Sequence, residues 1–212
     1  MVQTSMANEE YLKYLTYPTV FASVLDRLEP KWPAGTGSQL RASLLQAERE
    51  APGSLLHLLR SLLAKSELGL NLEEAYLRLQ AQASNEELAL KDRPEPPYQE
   101  LSQRAVTLRK ILARIPDEMA DRRTFLETIK EIASAIKKLL DATNNMYNFV
   151  PLTAQSSVER RKKEFVHYSK RFSNTLKEYF KGEDANHVFV SANQLIYQTS
   201  LIIKTVREKT RD

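Results

Sequence analysis

Four lysines with a regular spacing are the side chains whose pattern most strongly indicates a binding site. They form two pairs on successive predicted helices: Lys130 with Lys137, and Lys170 with Lys177. Seven residues make about two turns of an α-helix, so the ammonium groups of one pair share a face and lie roughly 10 Å apart along the axis. Two such pairs attract carboxylates, and an acidic ligand is therefore the predicted chemistry.

A small side chain lies three residues after the first lysine of each pair: Ala133 on one helix and Ser173 on the other. If the two helices pack side by side, these residues form the floor of a shallow groove with two cationic rims. Such a groove suits an acidic amphipathic helix whose leucines face the floor. The alternative is that the lysines only form a solvated helix face.

A second basic cluster follows in the chain, consisting of Arg160, Arg161, Lys162 and Lys163. It is a candidate site for anions or lipids, and it leaves open a membrane-surface module that binds phosphoinositides or other polyanions. Aromatic residues follow the cluster at Phe165, Tyr168 and Phe172. Their spacing of three and four directs them toward a helical core, which argues against base-stacking platforms and against nucleic acid as a partner.

Catalytic chemistry finds little support in the sequence. The chain has no cysteine, and its three histidines, His57, His167 and His187, have no partner at metal-ligand spacing. Gly35-Thr36-Gly37 lacks the further residues of a phosphate loop. We therefore expect no catalytic residues, no metal site and no cofactor.

Length and charge predict two domains with different partners. Of the 212 residues, 1–92 contain 9 Lys/Arg and 12 Asp/Glu, whereas 93–212 contain 22 and 15. The first part is therefore acidic and the second basic. No apolar run approaches the ~20 residues of a membrane span, and no secretory signal is visible. A cytoplasmic location is expected, with peripheral attachment at membranes or the Golgi left open.

The periodicity predicts an all-α protein whose first part carries surplus leucine. Pro18 is expected to open a helix that ends before Pro30, and Leu40, Leu44 and Ala47 form the stripe of the next. The segment 54–63 then contains six leucines in ten residues. So small a unit cannot bury them all, which favours association with a second copy or a similar domain. Docking of this run on the second half of the chain is the alternative.

A helix that bridges the two domains is predicted next. Asn71 and Glu74 have the spacing of a capping box, and the helix that they begin is expected to run to about Leu90. The prolines of Arg93-Pro94-Glu95-Pro96-Pro97 end it and mark a domain boundary.

The second part predicts four helices of an up-down-up-down bundle. Their expected ranges are Tyr98–Ile115, Asp117–Asn148, Val158–Lys181 and Asn186–Glu208. The segment Pro151–Ser157 is expected to be a loop.

Several motifs resemble those of the programmed cell death protein 10 family, the family of the third cerebral cavernous malformation protein. The closest are RPEP from Arg93, IPDE from Ile115, FLETIKEIASAIKKLLD from Phe125, KKEFVHYSKRFSNTLKEYFK from Lys162 and VFVSANQLI from Val188. Looser matches, YPTVF from Tyr17 and LRASLLQAERE from Leu40, extend the resemblance over nearly the whole chain.

The resemblance implies an adaptor without catalytic activity, built from three parts. These are an N-terminal helical dimerisation domain (1–66), a linker helix (67–93) and a C-terminal four-helix bundle of focal-adhesion-targeting homology (94–212). The implied partners of the first part are a second copy or germinal centre kinase III (Ste20-like) kinases. Those of the bundle are leucine-aspartate (LD) motif helices of paxillin type, striatin and a malformation-complex adaptor, and the family is also associated with phosphoinositides.

The resemblance implies residues for two sites, and those of the groove retain the family pattern. The LD-motif groove corresponds to Lys130, Ala133, Lys137, Lys170, Ser173 and Lys177, which the spacing of the lysines also indicates. The dimer contacts correspond to Leu40, Ser43, Leu44, Leu62 and Leu63. Ser43 replaces a small apolar residue, and the loop Asn148–Glu159 departs from the pattern.

Overall fold

The computed structural model describes residues 9–210, and every regular element among them is helical. The predicted all-α class is therefore confirmed. The chain divides into two compact units, one that reaches Ser84 and one that starts at Asn85. Across the described residues, every helix is too short or too polar to traverse a bilayer.

The described part of the first unit starts with one long helical run. It consists of α1 (Glu10–Thr16), a π-helical turn (Tyr17–Phe21) and α2 (Ala22–Leu28). Pro18 was expected to open a helix but lies inside this run. Proline has no N–H to donate and its ring crowds the preceding carbonyls, so the wider π turn accommodates it where a regular α-helix does not.

The next two α-helices are α3 (Thr36–Glu50) and α4 (Ser54–Lys65), and a tight turn joins them. Gly53 occupies the left-handed region at φ 93°, which a residue with a Cβ rarely adopts. The Glu48 carboxylate accepts hydrogen bonds from the backbone N–H of Gly53 at 2.6 Å and of Leu55 at 3.0 Å. It therefore caps the start of α4 and fixes its direction relative to α3.

The predicted bridging helix is shorter than expected. Helix α5 spans Leu72–Gln80 and ends ten residues before Leu90. Asn71 caps it as predicted, accepting from the backbone N–H of Glu73 and Glu74. The compact units divide after Ser84, which lies between the predicted functional boundaries at 66/67 and 93/94. Those two boundaries remain predictions.

Helix α5 is also less polar on its inner side than the sequence indicated. Tyr76 and Leu77 have no exposed side-chain surface, and the Tyr76 hydroxyl is hydrogen-bonded to Thr16. Gln80 Nε2 donates to Thr19 Oγ1 at 2.7 Å. These buried bonds fasten α5 to the helical run at the start of the same unit.

The second unit is a four-helix bundle with short connecting elements. Its elements are a 3₁₀ turn (Glu86–Leu88), α6 (Pro96–Leu112), α7 (Ile115–Glu118), α8 (Arg122–Asn145), a second 3₁₀ turn (Met146–Phe149), α9 (Leu152–Tyr179) and α10 (Ala185–Lys209). Large buried side chains at helical spacing fill its core, among them Leu101, Phe125, Phe165, Phe172 and Ile202.

The helix ends of the bundle differ from the sequence prediction at two places. Pro116 was expected to close the first helix, but it lies in the short α7, where proline is tolerated in a first turn. The segment Pro151–Ser157 was expected to be a loop, and this is wrong: α9 already begins at Leu152. Pro151 immediately precedes the helix, and its fixed φ suits a helix start as well as a loop.

The bundle is packed unevenly. Helix α8 lies close along α6, and α9 lies close along α10, whereas the backbones of α8 and α9 approach each other at few positions. The side of the bundle between α8 and α9 is therefore the one that can hold a groove.

Candidate functional site

Three contacts fix how α8 and α9 lie against each other. At one end the Phe125 ring is 5.8 Å from the rings of Tyr179 and Phe180, measured between centroids. At the other end Lys162 Nζ is 3.1 Å from Asn144 Oδ1. The start of α8 thus meets the end of α9, and the two helices are antiparallel.

This register places the predicted site residues at matching heights on the two helices. Counting inward from both ends gives three opposed pairs: Lys130 with Lys177, Ala133 with Ser173, and Lys137 with Lys170. All six are exposed. The two lysine pairs therefore stand about two turns apart, with the pair of small residues between them.

The flank of each helix that faces the groove follows from the contacts on its opposite flank. Glu131 of α8 pairs with Arg114 at 2.6 Å, so that flank of α8 faces the α6–α7 side. Thr175 of α9 shares a 2.7 Å hydrogen bond with Ser191, so that flank of α9 faces α10. The opposite flanks, which carry Ala133 and Ser173, border the space between α8 and α9.

Three of the four rim lysines have no side-chain partner among residues 9–210. Lys137, Lys170 and Lys177 are exposed and form no ion pair or hydrogen bond there. Lys130 pairs with Glu127 of its own helix at 2.9 Å. An exposed pair of this kind contributes only about 0.2–1 kcal/mol, so Lys130 can exchange it for a ligand carboxylate at little cost.

The floor between the lysines is small and has no unsatisfied polar group. Ala133 presents only a methyl group. The Ser173 hydroxyl donates to the Ser169 carbonyl at 3.0 Å, so it is turned back onto its own helix. Both features let the backbone of a ligand helix approach closely.

Larger apolar side chains extend the floor at both ends, and the sequence analysis missed them. They lie seven residues before and after the small residues: Leu126 and Leu140 on α8, Val166 on α9, and Phe180 directly after the last residue of α9. The side chains of Leu126 and Phe180 are 42% and 40% exposed, and those of Leu140 and Val166 are half-buried. The seven-residue spacing that selected the lysines could also have selected these residues.

One end of the groove is closed by a polar cluster. Lys162 pairs with Glu159 at 2.7 Å and lies over the Tyr147 ring. The hydrogen bond from Lys162, and then the one from the Tyr147 hydroxyl, holds the pKa of Glu159 below its usual range. Burial, and then Glu159, raises the pKa of Tyr147 to about 12. The cluster ties α9 to the end of α8 through the bond to Asn144.

The leucine surface lies on α3 and α4 of the first unit. We use this name for Leu40, Ser43, Leu44, Leu62 and Leu63, the predicted dimer contacts. Leu40 and Leu62 are 39% and 55% exposed, Ser43 is exposed, and Leu44 and Leu63 are half-buried. The structure therefore leaves all five at least partly uncovered.

Helices α3 and α4 bury few apolar side chains. Gly37 is the single buried residue of α3, and Leu55 and Leu56 are the buried residues of α4. Two further leucines, Leu45 and Leu58, are exposed beside the leucine surface. Uncovered apolar area of this kind marks an interaction surface.

Comparison with protein families matches two successive parts of the chain to two family models. Residues 9–69 match the model described as the dimerisation domain of programmed cell death protein 10, and residues 70–164 match the C-terminal model of that protein. The chain belongs to the programmed cell death protein 10 family. The leucine surface lies in the family's dimerisation domain, and the α8 side of the groove lies in the C-terminal match.

The alignment with one relative of this chain includes both sides of the groove. The programmed cell death protein 10 homolog of Caenorhabditis elegans is 47% identical over 213 residues, which is 96% of this chain and 99% of that protein. The family resemblance on which the site residues were assigned is thus confirmed along nearly the full length.

The second basic cluster of this family member does not form a single cationic patch. Arg161 pairs with Glu164 at 2.7 Å, and Lys162 belongs to the polar cluster that closes the groove. Arg160 and Lys163 are exposed and form no hydrogen bond or ion pair with another described residue. Consecutive residues point around a helix, so only two of the four cations face solvent together.

Residues 9–210 contain no group of three or more His, Asp or Glu side chains that could hold a metal ion.

Proposed function

We propose that the chain is a non-catalytic adaptor that joins two partners through the leucine surface and through the groove between α8 and α9. The leucine surface pairs with a second copy or with the related domain of a germinal centre kinase III kinase. The groove binds an acidic LD-type helix from a paxillin-like protein, a striatin or a malformation-complex adaptor. Both partners then have a raised effective concentration for each other.

The observation that carries the groove proposal is the register of α8 and α9. It opposes two lysine pairs across a floor that is small in the centre and apolar at both ends. An LD-type helix has the complementary pattern, with leucines on one face and carboxylates beside them. Helix-in-groove recognition needs this combination of apolar anchors and flanking charge.

The expected affinity is moderate. Two or three ligand leucines contribute roughly 1.5–3 kcal/mol each when buried. Exposed lysine–carboxylate pairs add only about 0.2–1 kcal/mol each. Association and ordering costs offset several kcal/mol of this, so a micromolar dissociation constant, on the order of −8 kcal/mol, is expected.

The pairing proposal is supported by the match to a dimerisation domain and by the uncovered leucines of α3 and α4. A related kinase domain with the same helical pattern could take the place of the second copy. The adaptor is proposed to act in the cytoplasm.

Charge reversal of the rim tests the groove. The test variant carries Lys130→Glu, Lys137→Glu, Lys170→Glu and Lys177→Glu, and a fluorescent LD-motif peptide is titrated into it and into the wild-type protein. We expect micromolar binding to the wild type and a dissociation constant at least about a hundredfold higher for the variant, because four attractions become repulsions. Equal binding by both proteins, with unchanged circular dichroism, overturns the groove proposal.

A phosphoinositide or other polyanion surface is the second candidate function. The observation that favours it is the exposure of Arg160 and Lys163, one turn apart on α9 and without a hydrogen bond or ion pair to another described residue. The matched control is therefore Arg160→Glu with Lys163→Glu. Loss of binding to anionic vesicles in this control, with peptide binding retained, assigns lipid contact to these two residues.

A further inference from the structure

We propose that the groove holds a partner helix of about four turns, with an apolar anchor on a shelf formed by Leu126 and Phe180 and a carboxylate beside Arg122. This rests on the proposed function of the groove. The shelf would add specificity to the groove, because it would favour partner helices that carry one more apolar side chain than the LD motif itself.

The length of the floor is the first argument. Leu126 and Leu140 are fourteen residues apart on α8, which corresponds to about 21 Å of helix. Leucines at positions i, i+3, i+4 and i+7 of a ligand span only about 10 Å. A ligand that ends with this motif leaves one of the two apolar ends of the floor exposed.

The shelf is the end with the larger exposed apolar surface. The Leu126 and Phe180 side chains are 42% and 40% exposed, although the neighbouring Phe125 is buried. The Phe180 ring is held in place by its contacts with the rings of Phe125 and Tyr179. A preformed apolar surface of this kind gains affinity when a ligand leucine or methionine covers it.

Charge complementarity continues past the lysine pairs at this end. The Arg122 guanidinium lies 5.8 Å from the centroid of the Phe180 ring and forms no ion pair with another described residue. Asp121 does not neutralise it by a direct contact, because its carboxylate caps α8 by accepting from the backbone N–H of Thr124 at 2.9 Å. A carboxylate one turn beyond the ligand's extra anchor would lie beside Arg122.

The other end of the groove favours extension toward the shelf. Beyond Leu140 and Val166, Lys162 crosses from α9 to Asn144 of α8 and is already paired with Glu159. A ligand helix that continued in that direction would have to displace this cluster. The open direction is therefore the one that leads over Leu126 and Phe180.

Three peptides of equal length test the proposal, each of about twenty residues so that helix formation is comparable. The parent is an acidic peptide with leucines at i, i+3, i+4 and i+7. The other two carry one additional leucine, seven residues before or seven residues after the motif, in place of a glutamine. Binding is measured by fluorescence anisotropy to the full chain.

The test variant is Leu126→Gln, which removes the exposed anchor and keeps a good helix former in α8. Its matched control is Leu152→Gln, because Leu152 is 84% exposed on α9 and lies outside the groove floor. To test the charge, peptide binding by Arg122→Gln is compared with peptide binding by Arg123→Gln. Arg123 is an exposed neighbour on the same helix.

We expect one of the two extended peptides to bind the wild type about tenfold more tightly than the parent. Leu126→Gln should return its dissociation constant to that of the parent and leave the parent unchanged, and Leu152→Gln should keep the gain. The inference is overturned if neither additional leucine tightens binding, or if Leu126→Gln retains the gain while the parent still binds. Absence of binding by all three peptides to the wild type overturns the proposed groove function itself.

Discussion

The leucine surface and the α8–α9 groove are each formed by a pair of helices, and they differ in how much apolar area and how much charge they present. Helices α3 and α4 leave seven of their nine leucines exposed or half-buried and carry no matched lysine pairs. The groove has a narrow apolar floor and four exposed lysines at its rims. An interface of the first kind resembles part of a divided core and favours long-lived association, whereas one of the second kind favours reversible, charge-guided binding.

The largest expected effect concerns the leucine surface. Leu44→Asp, Leu62→Asp and Leu63→Asp together should convert a dimer into a helical monomer, because each lost leucine removes roughly 1.5–3 kcal/mol of apolar burial. This raises the dissociation constant by more than about a thousandfold. Sedimentation velocity measures the change.

Leu152→Asp in the second unit is the control, since it places the same charge on an exposed leucine outside the surface. A wild-type chain that sediments as a monomer at tens of micromolar contradicts self-association. Pairing with a kinase domain would then be the remaining use of the leucine surface.

Binding at the two surfaces should differ in its dependence on salt concentration. Raising NaCl from about 50 to 500 mM shortens the screening length to a few ångströms, which weakens attraction between exposed charges. We expect the peptide's dissociation constant to rise by about tenfold and the dimer's to stay within about twofold. Anisotropy and sedimentation at each salt concentration give the two values, and an equal response of both would remove the distinction.

Removing one helix cap in each unit tests whether each surface depends only on the stability of the unit that carries it. Asn71→Ala removes the cap of α5, and Asp184→Ala removes the carboxylate that accepts from the Asn186 N–H at 2.8 Å at the start of α10. Each should cost about 1 kcal/mol. Hydrogen exchange should localise the loss to the unit that carries the substitution, and Asn71→Ala should leave the peptide's dissociation constant unchanged.

A small pH effect is expected at one carboxylate of each unit. The hydrogen bond from Arg60 lowers the pKa of Glu9, and that from Lys162 lowers the pKa of Glu159, both below the usual 4.5. A lowered folded pKa stabilises the protein above the unfolded value, and this contribution is lost as the pH falls through the folded value. The difference in melting temperature between the wild type and Glu9→Gln or Glu159→Gln should therefore be present at pH 7 and shrink below pH 4.5.

The smallest effect should come from the second basic cluster. Arg160→Glu with Lys163→Glu leaves the four rim lysines in place, so the peptide's dissociation constant should change by less than about threefold, the scale of screened charges at a distance. A loss as large as that of the lysine variant would mean that general positive charge, and not the register of the groove, controls binding.

Most of the fold could be predicted because the apolar periodicity of the bundle is strong. Phe165 and Phe172 are buried as their spacing indicated, and α10 ends within one residue of its expected range. Proline was the weakest guide. Pro18 and Pro151 were assigned to a helix start and to a loop, but a π turn accommodates the first and a helix start the second.

The site was partly predictable for the same reason. Helical spacing within one chain segment selected the lysines with Ala133 and Ser173. It could not show that Leu126 and Phe180 lie at the same height, because that depends on the contact between Phe125 and the end of α9. The buried inner side of α5 likewise depends on tertiary bonds to Thr16 and Thr19 that its polar sequence did not reveal.

The most direct test of the adaptor account is whether both surfaces are occupied at once. A fluorescent LD-motif peptide is added at saturating concentration to the wild-type chain, and sedimentation is followed at the dye wavelength. The account predicts that the peptide sediments with a two-chain particle at one peptide per chain, and with a monomer in the leucine variant. Peptide that sediments only with monomeric wild-type chain, or that dissociates the dimer, would contradict it.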